Sequence, residues 1–273
     1  MSSRFGSRTD SGIIRDFIES YDGDAANYFR ANTAITSDAD KNAINTFYLG
    51  LKSDGIYTKI KAMYLPIWGS AASCKWNLVN PLDTDAAFRL TFSTGLTYSS
   101  SGITGNGTSS YINTYFNMNG YRDSNHGIVY VQTNLNGGYN EYGAATAVNV
   151  SVFANGTNNA NICYTQNHVN NSFLSYSNTN GSGLYVNKRE SSTSGFKTFR
   201  NGVLKATDTN SIGNQIPHNI YLFARNVADS SIIAYSSNKD SFFCFGNGLT
   251  DTEVTNISSR INTLMTYFGI NVY

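Results

Sequence analysis

Short apolar or alternating runs fill the chain from about residue 62 to residue 245, and clusters of Gly, Asn, Ser or Asp separate them every 8–15 residues. Strand-length runs bounded by turn residues at this spacing predict an antiparallel sandwich or barrel. Pro66 lies near the end of the first run, and none of the three prolines lies inside a central run, so the ladders of the central strands can stay intact. The runs are AMYLPI, AFRLTF, YINTYF, GIVYVQT, AVNVSVF, NICYT, SFLSYS, GLYVN, FKTFR, VLKAT, NIYLFAR, SIIAY and SFFCF.

The clearest turn of this region lies in FRNGVLKA, where Asn201 and Gly202 separate two strand-like runs. A two-residue connection between antiparallel strands needs positive φ at both positions, which Asn and Gly adopt most readily. The dipeptide therefore predicts a type I′ β-hairpin.

The end of the chain departs from the strand pattern. In GNGLTDTEVTNI, residues 246–257, the Thr250 hydroxyl can cap a helix, and Glu253 can complete a capping box. Gly269 then provides a helix stop. We predict a closing helix over residues 250–268, packed on the sandwich. Its apolar face, spaced by three and four residues, consists of Val254, Ile257, Ile261, Leu264, Met265 and Phe268.

Two further segments precede the strands. A helical pattern capped by Thr36 or Ser37 predicts a lead-in over residues 36–61, so that the sandwich with its closing helix spans residues 62–273. Residues 1–35 carry arginines among Gly, Ser and Asp, with a short apolar set. They can form a frayed terminus or an arm for attachment and assembly, and both interpretations stay open. The candidate assembly contacts of such an arm are Arg4, Phe5, Arg8, Ile13 and Phe17.

The composition excludes several classes of protein. The formal net charge is +1, and charged residues make up 14% of the 273 residues, against roughly 25% in soluble domains. An aromatic content of 14% argues against disorder. Without a basic face we expect no nucleic-acid partner, and without an apolar run of about 18 residues we expect no membrane insertion. The first residues lack the apolar core of a signal peptide, so we expect synthesis in the cytoplasm without export.

The residue types that catalysis needs are sparse. Only four glutamates occur, and Glu141 alone lies between aromatic residues in a predicted loop, where a distant Asp could partner it. No strand carries two carboxylates on one face for glycoside hydrolysis, and the three histidines stand apart. The three cysteines are predicted to be free, buried thiols. We expect a non-enzymatic protein with no catalytic residue, no metal site and no cofactor. Calcium is the open alternative, since DTD (83–85) and DTN (208–210) carry oxygen ligands that also form turns.

Two segments concentrate aromatic and amide groups, GYRDSNHG at 120–127 and NLNGGYNEYG at 134–143. Aromatic rings pack on sugar rings and amides bind hydroxyl groups, although ordinary loops have a similar composition. The candidate glycan contacts are Tyr121, His126, Tyr139 and Tyr142.

A series of segments in a fixed order resembles structural proteins of tailed bacteriophages, especially those that infect Bacteroidota. The segments cover about residues 33–273 and include KIKAMYLPIWG, CKWNL, DTDAAFRLTFSTGLTYSSSGITGNGTSSYINT, IYLFARN and FFCFGNGLTDTEVTNI. Proteins of this type are similar to concanavalin A-like or laminin-G-like sandwiches. The resemblance implies a two-sheet antiparallel jelly-roll sandwich.

The resemblance also implies a place in the virion, as a tail fibre, head fibre or other surface component. Its partners would be other virion proteins and further copies of the same chain, as a trimer or in larger number. Three functions are compared on this basis. The first is a non-enzymatic virion protein attached through its N-terminal arm. The second is a receptor module that binds a host surface polysaccharide, and the third is a polysaccharide-degrading enzyme.

Overall fold

The computed structural model describes residues 21–134, 140–146, 151–157, 162–170, 173–209, 212–228 and 231–273. Within these ranges the helices are α1 (Gly23–Ala31), α2 (Asp38–Ser53), α3 (Ala71–Cys74) and α4 (Asp251–Tyr267). Two 3₁₀ turns cover Tyr57–Lys59 and Asp85–Ala87. The strands are β1 (Ile60–Tyr64), β2 (Thr91–Phe92), β3 (Thr97–Ser99), β4 (Gly102–Thr104), β5 (Ile112–Asn117), β6 (Asn125–Thr133), β7 (Tyr142–Ala145), β8 (Ser151–Thr157), β9 (Ile162–Asn170), β10 (Leu174–Ser177), β11 (Gly183–Arg189), β12 (Phe196–Arg200), β13 (Val203–Asp208), β14 (Asn219–Leu222), β15 (Arg225–Val227), β16 (Ser231–Ile233) and β17 (Lys239–Gly246).

The strands form two sheets that pack face to face. The first, which we call the helix-covered sheet, has the order β13-β12-β11-β6-β17-β4-β3, with β1 paired to β17. The second, the open sheet, has the order β10-β9-β8-β7-β14-β5-β2, with β15 beside β7 and β16 beside β15. The pairing of β15 with β7 is parallel, and the other described pairs are antiparallel. The predicted two-sheet antiparallel sandwich with N-terminal and C-terminal helices is confirmed.

Alternation along the strands creates two apolar layers. In β11, Leu184 and Val186 face the helices, while Tyr185 between them faces the other sheet. The helix layer holds buried residues of α1, α2 and α4. The layer between the sheets holds buried residues from strands of both sheets. One face of the helix-covered sheet is therefore closed by helices and the other by the open sheet.

The closing helix follows its sequence signal. Glu253 N donates to Thr250 Oγ1 at 3.2 Å, and Thr250 N donates to Glu253 Oε2 at 2.7 Å, which completes the predicted capping box. Lys59 forms an ion pair with Glu253 at 2.7 Å, and the buried Lys188 forms one with Asp251 at 2.6 Å. The first turn of α4 is thereby tied to the helix-covered sheet and to the turn before β1.

Helix α1 changes the predicted N-terminal boundary. Asp22 caps α1, and Lys52 of α2 forms an ion pair with Asp22 at 2.8 Å. Tyr28 is buried in the helix layer, where Trp68 Nε1 donates to its hydroxyl at 3.0 Å. Residues 21–35 thus belong to the folded body, and an arm over residues 1–35 is too long. The five candidate assembly contacts lie outside the described residues and stay predictions.

The cap of α2, the Asn201-Gly202 hairpin and the three cysteines agree with the sequence predictions. Ser37, rather than Thr36, caps α2. Strand β1 begins at Ile60, before the predicted start of the sandwich at residue 62, and pairs with β17. Asn201 and Gly202 have φ angles of 51° and 72°, as a type I′ hairpin requires. The three cysteines are free and buried. No helix in the described part of the chain has both the length and the apolar character to cross a membrane.

Candidate functional site

The outer face of the open sheet is a surface on which none of the long described helices packs, since their buried apolar residues belong to the helix layer. Strand β5 alternates between buried and partly exposed side chains. Successive side chains of a strand point to opposite faces, so the partly exposed set faces outward. That set consists of Asn113, Tyr115 and Asn117.

Tyr111 and Tyr221 form a stacked aromatic pair on this face. Tyr221 of β14 is the register partner of Asn113 in β5, and Tyr111 immediately precedes β5. The ring centroids are 4.8 Å apart and the ring planes differ by 11°. The backbone of Tyr111 is held by Ser93, because Tyr111 N donates to Ser93 Oγ at 2.7 Å and Ser93 N donates to Tyr111 O at 3.0 Å. The two rings therefore form a fixed, partly exposed aromatic platform.

Tyr115 is displaced from the strand by a bulge. On either side of Tyr115, Asn113 pairs with Tyr221 and Asn117 pairs with Asn219. Between these two register pairs β5 has three residues, whereas β14 has one. Tyr115 takes a φ of 55°, in the left-handed region that bulky residues rarely adopt. Thr114 Oγ1 donates to Ile220 O at 2.8 Å, and Tyr115 N donates to Asn113 Oδ1 at 2.9 Å. These bonds hold an aromatic residue in a conformation that costs about 1–3 kcal/mol and that clusters at functional sites.

Arg225, at the start of β15, lies over Gly143 of β7. A side chain at position 143 would come within 3.2 Å of Arg225 Cβ and Cγ, so the glycine lets the arginine lie against the sheet. Gly143 is the register partner of Tyr221, which places Arg225 beside the aromatic pair on the same face. Burial lowers the pKa of the guanidinium from its ordinary value.

We call this surface the tyrosine face. Tyrosine rings can pack against the apolar faces of a sugar, and hydroxyl, carboxamide and guanidinium groups can bind its hydroxyl groups. With one cation, the surface is poor in the positive charge that a nucleic-acid backbone requires. The tyrosine face comprises Tyr111, Asn113, Tyr115, Asn117, Tyr221 and Arg225.

Two of the glycan contacts expected from the sequence lie in the interior. Tyr142 points between the sheets, where Asn187 Nδ2 donates to its hydroxyl at 2.9 Å. His126 lies beneath the segment before α4, with Nδ1 2.5 Å from Asn247 O, and burial lowers its pKa to about 4. Both side chains are fully buried. The expectation that they touch a glycan directly is therefore corrected, because no solvent reaches them.

Of the other two expected contacts, the structure describes Tyr121 and not Tyr139. Tyr121 is partly buried in the loop between β5 and β6, and its ring packs against Phe116 at a centroid distance of 5.2 Å. Tyr139 lies outside the described residues. The three described residues of the predicted site therefore do not form one exposed surface.

Glu141, the glutamate singled out from the sequence, meets an aspartate in the interior. Its carboxylate accepts hydrogen bonds from Ser236 Oγ at 2.8 Å and Asn238 Nδ2 at 2.7 Å. Asp240 of β17 faces it, and burial together with the charge of Glu141 raises the pKa of Asp240 well above its usual range. Both carboxyl groups are fully buried. A pair without solvent access is suited to holding the two sheets together by a shared proton.

The aspartates considered for calcium have other partners. Asp83 pairs with Lys75 and, at 3.0 Å, with Arg89, which also pairs with Asp85 at 2.9 Å. Asn210 of the second segment lies outside the described residues. Among the residues that the structure does describe, no group of three or more His, Cys, Asp or Glu is placed to hold a metal ion.

The tyrosine face was not predicted, because the aromatic residues proposed from the sequence as glycan contacts were taken from expected loops rather than from strands. The available signal was the alternation inside YINTYF and NIYLFARN, whose outward positions carry Tyr221 and the Asn and Tyr residues of β5. Without the strand pairing, nothing indicated that these two segments lie side by side. No local sequence pattern indicated Arg225, because its position on this face depends on the parallel pairing of β15 with β7.

Comparisons with known proteins identify the type of fold. No protein-family model matches the chain, and no curated protein matches it either. Among solved structures, the sialidase of Trypanosoma rangeli in complex with 2,3-difluorosialic acid is 8% identical with a TM-score of 0.54, and the match covers 82% of this chain and 39% of the sialidase.

Two further structures are similar at lower scores. Domain 4 of AbnA, an extracellular arabinanase of Geobacillus stearothermophilus in complex with arabinotriose, is 13% identical with a TM-score of 0.48, covering 73% of this chain and 98% of that domain. The CBM40 domain of the Ruminococcus gnavus IT-sialidase bound to α2,3 sialyllactose is 16% identical with a TM-score of 0.40, covering 50% of this chain and 82% of that domain. At 8% identity, the likeness to the sialidase of Trypanosoma rangeli shows a shared fold alone.

Proposed function

We propose that the chain is a non-catalytic carbohydrate-binding β-sandwich that binds glycan on its tyrosine face. The observation that carries the proposal is the stacked pair Tyr111–Tyr221 on the face of the open sheet where none of the long described helices packs. The proposal rests on this surface of the chain itself, because similarity at such low identity establishes the fold alone.

The aromatic pair supplies what sugar binding requires. Stacked rings have few accessible side-chain conformations, so they offer apolar contact area at a low cost in conformational entropy. Aromatic residues also supply much of the binding energy at recognition sites. The strained Tyr115 and the carboxamides of β5 surround the pair with polar groups. Because the ladder bonds of β5 and β14 position these groups, little ordering is needed on binding.

The burial of Glu141 and Asp240 favours binding over hydrolysis. Retaining and inverting glycosidases need two carboxyl groups that flank the scissile bond of the sugar. This pair is fully buried between the sheets. We therefore place the glycan on the tyrosine face and assign no catalytic role to the pair.

A place in a bacteriophage virion remains a proposal that the sequence resemblance alone supports. It is compatible with glycan binding, since a sandwich held on a particle by residues before 21 can present its open sheet to a host surface. Virion partners and assembly in several copies are implied by that resemblance. No contact among the described residues supports either expectation.

A glycan array followed by calorimetry tests the binding. Wild type should bind at least one glycan saturably, and Tyr111→Ala and Tyr221→Ala should each weaken binding by about 10–30-fold, as expected for the loss of an aromatic anchor. The matched control is Tyr267→Ala, which removes a 45% exposed tyrosine from α4. Absence of binding to any glycan, or equal loss in the control, would overturn the proposal.

A further inference from the structure

Arg225 is exceptional among the arginines that the structure describes, because it alone has neither an ion pair nor a hydrogen bond. Arg89, Arg122 and Arg260 pair with aspartates, and the others donate to backbone or side-chain oxygens. Arg225 Nε is buried without a partner. A cation in that condition is destabilising unless something satisfies it.

Among the residues that the structure describes, no acidic side chain compensates the guanidinium charge of Arg225. Desolvation is the effect that lowers its pKa, and no acidic group of the described chain opposes it. The stem lies against Gly143, and Tyr221 is the register neighbour of that glycine. The unsatisfied cation is therefore part of the tyrosine face, beside its aromatic pair.

We propose that Arg225 binds the carboxylate of an acidic sugar residue whose ring packs on the Tyr111–Tyr221 pair. This inference rests on the proposed function and specifies its ligand class, a glycan that contains uronic or sialic-type acids. A guanidinium presents its donors as a planar fork that matches the two oxygens of a carboxylate. Bound ligand would provide the acceptor that the described residues do not supply to Arg225.

The position of Arg225 determines how the site distinguishes acidic glycans from neutral ones. Neutral sugars would pack on the rings but leave the guanidinium without an anion. A charged partner adds a charge-assisted bond in a partly desolvated setting, where such bonds are strongest. Acidic glycans should therefore bind about 10–100-fold more tightly than neutral glycans of the same size.

The test uses an array in which each uronic or sialic acid glycan is printed beside its methyl ester, which keeps the sugar and removes the charge. Wild type should bind an acid form at least about tenfold more tightly than its ester. Arg225→Gln should bind the two forms equally, and Arg225→Lys should retain part of the preference. Arg30→Gln is the matched control, since it removes an exposed cation from α1 and should leave the preference unchanged.

The outcomes separate this inference from the proposed function. Binding of acidic glycans that depends on Tyr221 but is unaffected by Arg225→Gln, or is equally tight for the acid and its ester, would overturn the inference and keep the proposed function. A preference for sulfated glycans over carboxylated ones would overturn the carboxylate assignment. Thermal unfolding of Arg225→Gln provides the structural control, because removal of a partly buried cation whose Nε has no partner should leave stability equal or higher.

Discussion

The carboxyl groups of Glu141 and Asp240 face each other between the two sheets, one contributed by the segment before β7 and the other by β17. Glu141 accepts bonds from Ser236 and Asn238 and is suited to carry the charge. Neither oxygen of Asp240 has a hydrogen-bond donor among the described residues. The pair is therefore stable when Asp240 keeps its proton and donates it to Glu141.

Asp240→Asn should stabilise the protein, increasingly so as pH rises. The pKa of Asp240 is raised in the folded state, so its contribution is fully present below the unfolded pKa of about 3.9 and is lost as pH rises toward the folded value. Asparagine donates to Glu141 without titrating. Urea unfolding of both proteins at pH 5 and pH 8 measures the effect, with exposed Asp38→Asn as control. A difference between the two proteins that is independent of pH would contradict the shared proton.

His126 should produce the opposite pH dependence. Its folded pKa is lowered to about 4 by burial, so the stability that it contributes is present above the unfolded pKa of about 6.5 and is lost as pH falls toward 4. The full effect of a shift of this size is about 3 kcal/mol. In His126→Asn the carboxamide can keep the bond to Asn247 O, and its unfolding free energy should change less than that of wild type between pH 7 and pH 5. Equal slopes for both proteins would refute the interpretation.

The sequence predicted what depends on local pattern. Alternation identified the strands, Asn201-Gly202 identified the hairpin, and Thr250 with Glu253 identified the start of α4. Each of these signals acts over a few residues, where steric limits and capping bonds outweigh distant contacts. The closing helix was therefore predictable to within a residue at its start.

The candidate site depended on non-local geometry. Plain alternation puts Asp240 on the same side as Phe242 and Cys244, which face the helices. A bulge at Ser241 shifts the register with β6, so that Asp240 pairs with Val131 and points between the sheets. An inserted residue of this kind exchanges the inward and outward positions along the rest of the strand. The sequence of one strand does not reveal where its partner lies.

Thr250→Ala should destabilise the protein by about 1 kcal/mol, because it removes one half of the capping box at the start of α4. The cap also positions Glu253 for its ion pair with Lys59, so Glu253→Gln should retain most of the capping bond and lose the ion pair. Thr252→Ala is the control, since this exposed residue lies in the same turn outside the box. Urea unfolding compares the variants, and an equal effect of Thr252→Ala would show that the cap contributes nothing specific.

Truncation should locate the boundary between arm and body. Removal of residues 1–20 should leave the free energy of unfolding of the described body nearly unchanged and should abolish incorporation into particles if the arm attaches the protein. Removal of residues 1–30 also deletes Tyr28, whose buried ring packs in the helix layer, and losing such a ring costs about 3–5 kcal/mol. Calorimetry of both truncations provides the comparison. Equal melting temperatures would mean that α1 contributes no stability to the body.

Tyr115→Asn should separate stability from binding. Asparagine adopts positive φ more readily than tyrosine, so the change relieves strain at φ 55° and should raise the free energy of unfolding by about 0.5–1 kcal/mol. It also removes an aromatic ring from the tyrosine face, so glycan affinity should fall several-fold. Thermal unfolding and calorimetric titration of the same sample measure both effects. Tyr98→Asn is the matched control, because this half-buried tyrosine of β3 in the helix-covered sheet packs against Phe92 of β2 in the open sheet, and its loss should lower stability. If Tyr115→Asn became more stable without losing affinity, Tyr115 would be a strained residue with no part in binding, and the face would reduce to its stacked pair and Arg225.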